Sequence, residues 1–215
     1  MAANLYEITS SQSRSKKLSG RSLHAELPRL ARTLTPATSA ATRKSPTTPA
    51  QLNPVFYQNQ RAMYGLLFRA ASETLLELCA DEKYLGAVPG VTAVLHTWGQ
   101  NLSYHPHLHC VVTGGGLTKI NTWRCSRKKF LVPVKVLAKK FRGKFLSLLQ
   151  RQKLAFFGEH RNLNSPAEFS ALLQKLYATD WIVYCKPPFG SAQKVLDYLG
   201  RYGLYPENWT PNESS

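Results

Sequence analysis

VTAVLHT at residues 91–97 and HLHCVVT at residues 107–113 are the two stretches that decide the fold. Each is short and rich in β-branched residues, as β-strands are. A polar stretch separates them, and a glycine triplet at 114–116 follows the second. The pattern predicts two antiparallel strands joined as a hairpin that ends at the glycines.

Helical periodicity surrounds this hairpin on both sides. Apolar residues recur at helical spacing over 58–80 and 134–152, and further helices are predicted over 166–177 and 192–202. A buried strand is predicted at 181–185. This order mixes hairpin pairing with crossing helices, and it predicts an α+β fold with a largely antiparallel sheet backed by helices.

Composition divides the chain into three parts. Residues 1–50 are rich in Ser, Thr, Pro and basic residues without an apolar period, which predicts a disordered basic arm. The folded core is predicted at 51–202. Residues 203–215 form a short C-terminal tail.

The net charge is +16, with a pI near 9.9, and it favours a polyanionic partner. Nucleic acid is the first candidate and an anionic membrane the second. No stretch approaches the roughly 20 apolar residues of a membrane span, and the N-terminus lacks a signal-peptide core. We therefore expect a cytoplasmic protein with access to DNA. The four cysteines form no CxxC pair, so buried reduced thiols are expected rather than disulfides or a zinc ribbon.

Three histidines are the candidate metal ligands. His107 and His109 share one face of their strand, about 7 Å apart. If paired residue numbers sum to about 203, His96 lies opposite His107 on that face. Three imidazoles can hold a divalent cation and leave positions open for phosphate and water. His105 is an alternative third ligand, Gln100 is a weaker oxygen donor, and three unrelated polar histidines are the remaining interpretation.

Two tyrosines on the last predicted helix are candidate nucleophiles. Tyr198 and Tyr202 are four residues apart and share one helix face, a spacing that ordinary helix packing also produces. Beside a metal, a phenol can attack phosphorus. No Asp or Glu occurs between residues 83 and 158, so a nuclease built on clustered carboxylates is poorly supported.

The stretch 119–153 contains basic residues and no acidic one. It predicts a phosphate-binding track, although a solvated helix face is the usual alternative. Trp98, Tyr104 and Trp123 could stack on unpaired bases or belong to the core. The candidate DNA-binding residues are Arg127, Lys128, Lys129, Lys139, Lys140 and, at the end of the last predicted strand, Lys186.

HTWGQNL at 96–102, HPHLHCVV at 105–112 and the glycine triplet closely resemble rolling-circle insertion-sequence transposases of the two-tyrosine HUH endonuclease class. LLFRAASETLL at 66–76, VYCKPPFG at 183–190 and VLDYLGRY at 195–202 extend the resemblance over roughly residues 51–202. Such transposases usually begin with a Cys-rich zinc-binding domain and continue beyond the second tyrosine. Residues 1–50 of this chain contain no cysteine, and residues 203–215 after the second tyrosine form a short non-family tail, which predicts an incomplete or decayed copy.

The resemblance implies an HUH core with an RRM-like sheet, in which His96, His107 and His109 bind Mg²⁺ or Mn²⁺. Tyr198 and Tyr202 would be paired nucleophiles that cut and join single-stranded DNA at transposon ends and target through a 5′-phosphotyrosine. The expected partner is this DNA in the nucleoid of a prokaryotic-type cell, with neither a membrane nor a small-molecule substrate. A non-catalytic DNA-binding remnant is the first alternative. A histidine-metal hydrolase acting on a small phosphate ester is the second, and the charge disfavours it.

Overall fold

The computed structural model describes residues 3–8, 49–98, 104–126, 131–189 and 193–197. The strands are β1 (Ala3–Ile8), β2 (Val88–Trp98), β3 (Tyr104–Leu117), β4 (Trp123–Cys125) and β5 (Val183–Phe189). The helices are α1 (Asn53–Gln58), α2 (Gln60–Ala80), α3 (Val134–Leu149) and α4 (Pro166–Ala178), with 3₁₀ turns at Ala50–Leu52 and Gly158–Asn164. Residues 193–197 are also helical, within the last predicted helix. No described helix is long and apolar enough to cross a membrane.

The strands form one antiparallel sheet in the order β2-β3-β1-β5, with β4 paired to β3. The predicted hairpin is β2 and β3, and its register is the predicted one. His96 pairs with His107, and Leu95 pairs with Leu108. The α+β class, the antiparallel sheet and the backing helices are therefore confirmed.

Alternation along β3 gives the sheet two different faces. Leu108, Cys110 and Val112 are fully buried and join a core that includes Leu67 of α2 and Phe145 of α3. The helices therefore cover this face, which we call the helix face. The odd-numbered residues of β3, including His107 and His109, project to the other side, which we call the histidine face.

The glycine triplet does not end the strand as predicted, because β3 continues through it to Leu117. A Cβ at Gly115 would lie 2.5 Å from the Arg124 carbonyl oxygen, and one at Gly116 would lie 2.5 Å from that of Val88. Glycine is required here because the backbones of β4 and β2 approach β3 too closely for a side chain.

The prediction of disorder over 1–50 is wrong for Ala3–Ile8, which forms β1 between β3 and β5. This strand is short and carries no long apolar alternation, so its local signal is weak. Its stability comes from hydrogen bonding on both edges to residues that lie at least 100 positions away in sequence. Residues 9–48 of the predicted arm and the tail at 203–215 lie outside the described residues.

Candidate metal centre

His96, His107 and His109 form a compact cluster on the histidine face. One ring nitrogen from each lies within 4.8 Å of the others, and the three residues are only 1–7% exposed. The strand register brings them together, because His96 is the direct cross-strand partner of His107.

A hydrogen bond to the backbone sets which nitrogen of His107 can bind an ion. His107 Nδ1 lies 2.8 Å from the His105 carbonyl oxygen, so it carries the proton and donates, and His107 Nε2 carries the lone pair. His107 Nε2 lies 3.1 Å from His109 Nε2. That separation suits two nitrogens that each bind one shared ion at about 2.0–2.1 Å.

His96 supplies a further reason to expect an ion. Its Nε2 is fully buried and has no hydrogen-bond partner among the residues that the structure describes. A buried polar atom without a partner costs about 1–3 kcal/mol, and a metal ion would remove that cost. The three imidazoles therefore fit a divalent cation.

Burial keeps these imidazoles neutral at physiological pH. Burial, followed by the nearby His107, lowers the pKa of His96 to about 4. Burial also lowers the pKa of His107. The pKa of His109 is lowered to about 2 by burial first, and then by the charges of His107, His96 and Lys186. Neutral imidazole is the form that binds metal, so the site is prepared for an ion without losing protons.

His105, the alternative third ligand, has a different place in the structure. Its ring stacks on that of His107, with centroids 5.3 Å apart and planes at 26°. Its carbonyl oxygen accepts the bond that orients His107. The geometry thus makes His105 a residue that positions His107. Gln100 lies outside the described residues.

The three candidate stacking residues lie in different parts of the sheet. Trp98 is 42% exposed and stacks on His96 with planes at 1° and centroids 5.9 Å apart. Tyr104 packs on the helix side, where its hydroxyl lies 3.0 Å from that of Tyr64. Burial first, and then this bond, raise its pKa. Trp123 lies on β4 and pairs with Leu117 at the far end of β3 from the histidines.

Lys186 lies on the histidine face. Its position in β5 pairs with Leu5 of β1, which in turn pairs with Val111, an odd-numbered residue of β3. The charge of Lys186 also contributes to the lowered pKa of His109. A cation beside the histidines is suited to hold a phosphate there.

Tyr184 is a residue on this face that the sequence did not single out. It pairs with Glu7, and Glu7 pairs with His109. Its side chain is 51% exposed. Tyr184 is two residues before Lys186, so strand alternation alone could have placed both on one face.

Lys139 and Lys140 lie on α3, on the other side of the sheet. Lys139 is exposed, whereas Lys140 Nζ lies 3.0 Å from Glu77 of α2. Lys139 and Lys140 therefore lie on the opposite side of the sheet from Lys186. Arg127, Lys128 and Lys129 lie outside the described residues, as do Tyr198 and Tyr202.

Residues 90–205, which include the histidine cluster, match the Y2_Tnp family model, described as "Putative transposase". The chain is 48% identical over 161 residues to the "Putative transposase y4qJ" of Sinorhizobium fredii, an alignment that covers 73% of this chain and 40% of that protein. It is 27% identical over 159 residues to the "Transposase for insertion sequence element IS801" of Pseudomonas savastanoi pv. phaseolicola, covering 73% of this chain and 37% of that protein. The chain thus spans about two fifths of the length of these curated relatives. No solved structure matches it significantly.

Proposed function

This chain belongs to the Y2_Tnp transposase family, and from that membership and the histidine cluster we propose that it is a metal-dependent core that cuts and joins single-stranded DNA. Membership confirms the resemblance to insertion-sequence transposases. The proposal adds the rolling-circle, HUH-type mechanism with tyrosine nucleophiles. The observation that carries it is the buried cluster of His96, His107 and His109 on the histidine face.

The donor set fits the proposed ion. Three neutral imidazoles leave coordination positions for a phosphate oxygen and water, as catalytic sites require. Of Mg²⁺ and Mn²⁺, the nitrogen donors favour Mn²⁺, because Mg²⁺ prefers oxygen ligands. When bound, the ion would polarise the scissile phosphate and stabilise the charge that develops on it.

The chain's own residues would perform the remaining steps. The phenolic oxygen of Tyr198 or Tyr202 attacks phosphorus and forms a 5′-phosphotyrosine, and the 3′-oxygen of the DNA leaves and takes a proton to become a free hydroxyl. The second tyrosine repeats this attack on the partner strand. Lys186 holds the phosphate on the histidine face, and Trp98 offers an exposed ring to an unpaired base.

The charge supports DNA as the partner. A net charge of +16 attracts a polyanion at long range and raises the rate of encounter. A small phosphate ester would need no such charge. DNA is accordingly the proposed substrate.

The proposal is tested by a covalent adduct. The protein is incubated with Mn²⁺ and labelled single-stranded oligonucleotides from the ends of the element that carries the gene, and the products are separated on a denaturing gel. We expect an adduct that is lost in EDTA and in the variant His107→Ala/His109→Ala. Binding without an adduct under any metal would reject the catalytic proposal in favour of a DNA-binding remnant.

Three tyrosine variants assign the nucleophile. Tyr198→Phe and Tyr202→Phe are each expected to remove one of the two attacks. Tyr184→Phe is the matched control, because its phenol lies on the histidine face but is not a proposed nucleophile. If Tyr184→Phe alone abolishes the adduct, the assignment to Tyr198 and Tyr202 is wrong.

A further inference from the structure

A groove of about 510 Å³ lies between α2 and the C-terminal end of α3. Its floor is apolar and formed by Leu66 and Leu148, while Arg61 and Arg69 of α2 line it together with Gln152. Arg61 and Arg69 are both exposed. They lie on the solvent side of the helix layer, whereas His107 and His109 lie beyond the sheet, at least one helix diameter of about 10 Å away.

Arg61, Gly65 and Arg69 form a straight stripe along α2. Their spacing of four residues places them on one side of the helix, with the two arginines about 12 Å apart along its axis. A stacked single strand carries one phosphate per roughly 3.4 Å, so the stripe spans about three to four phosphate-to-phosphate spacings. The spacing suits a linear polyanion better than one small anion.

Gly65 leaves the middle of the stripe open. It costs helix stability relative to alanine, and a Cβ at this position would meet no atom within 4 Å. Internal packing therefore does not explain the glycine. Because no side chain projects from the helix between the two arginines, a backbone of sugar and phosphate can approach the helix closely there.

The nearby acids do not oppose an anion at this groove. Lys144 contacts Glu73 and Glu77, and Lys140 also pairs with Glu77. Arg69 contacts Glu73 at 2.7 Å, but this is an exposed pair of the kind that contributes little and exchanges readily for another anion. Arg61 makes no ion pair with any residue that the structure describes. The groove is accordingly a positive surface with unused donors.

We propose that this groove binds the phosphate backbone of a second single-stranded DNA segment, distinct from the one held on the histidine face. The inference rests on the proposed function for its ligand class, since strand joining requires two DNA segments on one enzyme. Arg61 and Arg69 contact phosphates, and the half-buried Leu148 contacts sugars or base edges. The groove positions the segment and takes no part in the chemistry.

The test is the salt dependence of binding to a labelled single-stranded oligonucleotide in EDTA, measured by fluorescence anisotropy with the full chain. The slope of log K against log salt is negative, and each lost phosphate contact makes it less steep by about 0.7. Arg61→Ala/Arg69→Ala is therefore expected to reduce the steepness by about 1.4. The matched control is Lys83→Ala/Lys175→Ala, which removes two exposed positive charges outside the groove. The control should leave the slope within about 0.3 of the parent.

A slope in the groove variant that equals that of the control overturns the proposal. The proposal is also overturned if Arg61→Ala/Arg69→Ala loses binding to anionic lipid vesicles but keeps binding to the oligonucleotide, because the occupant of the groove would then be a membrane. Adduct formation with Mn²⁺ is measured in parallel at saturating oligonucleotide, where the groove variant should match the parent. A parent that forms no adduct but shows the slope difference would reject the cleavage mechanism and leave the groove assigned.

Discussion

Replacing His96 by leucine should change the stability of the protein in opposite directions with and without metal. In the absence of an ion, His96 Nε2 is buried without a partner, which costs about 1–3 kcal/mol. Leucine has a similar volume and no polar atom, so His96→Leu should raise the free energy of unfolding in EDTA. The loss of the ring stack on Trp98 offsets about 0.5–1.5 kcal/mol of this gain. We expect a net stabilisation of about 1 kcal/mol.

With metal, the order should reverse. An ion at one hundred times its dissociation constant stabilises the folded parent by about 2.7 kcal/mol, and His96→Leu lacks one of the three ligands. For a chain of this size, 1 kcal/mol corresponds to roughly 2–4 °C in Tm. The parent should therefore gain about 5–11 °C on addition of Mn²⁺. His96→Leu should gain little.

The assay is thermal or urea unfolding at pH 7.5 in EDTA and in Mn²⁺, followed by circular dichroism. Thr92→Val is a matched control, because Thr92 shares the histidine face of β2 but lies four residues before His96. Its metal-dependent shift should equal that of the parent. A His96→Leu protein that is less stable than the parent in EDTA, or that keeps the full metal-dependent shift, would refute the reasoning.

Three further predictions concern pH, the helix glycines and the ion pairs. The pKa values of His96, His107 and His109 in the folded protein lie below the unfolded value of about 6.5. The unfolded chain therefore binds protons first, and the free energy of unfolding in EDTA should fall as the pH drops from 6.5 towards 4. Urea unfolding at pH 7.5, 6 and 5 measures this change, and a free energy of unfolding that does not vary with pH would contradict the prediction. Gly65→Ala and Gly143→Ala should each stabilise the protein by about 0.5–1 kcal/mol, because a Cβ at either position meets nothing within 4 Å; a destabilisation in urea melts would reveal an unrecognised contact. Lys144→Ala should lower the free energy of unfolding by about 1 kcal/mol at low salt and by less at high salt, because it leaves the carboxylates of Glu73 and Glu77 without their shared cation. Urea unfolding at the two salt concentrations measures the difference. Lys139→Ala removes an exposed charge and is the control, and it should change the urea midpoint little.

The sequence predicted the centre of the fold well because strand geometry is rigid. A period of two residues places His107 and His109 on one face, and the length of the connection between the strands restricts which residue of β2 can face them. His96 followed from that arithmetic, and the observed pairing with His107 agrees with it. The same rule would have placed Tyr184 beside Lys186.

The sequence failed where stability comes from distant partners. β1 is a six-residue strand with a weak local pattern, and it pairs with β3 and β5 only because both offer unpaired backbone groups. The same limit applies to β3, which passes through three glycines because its neighbours need close approach rather than a turn. Neither feature can be deduced from propensity, since each depends on what lies across the sheet.

The charge pattern shows why a basic sequence need not form one basic surface. Lys139 and Lys186 both contribute to the net charge of +16, yet the structure places one on α3 and the other on the histidine face. Between them lie the core of Leu108 and Phe145 and the sheet itself. A single strand that contacts the histidine face cannot follow both surfaces without passing around the domain. Two separate basic surfaces suit the proposed joining of two DNA segments, and the salt-slope comparison of Arg61→Ala/Arg69→Ala with its control tests the second of these surfaces.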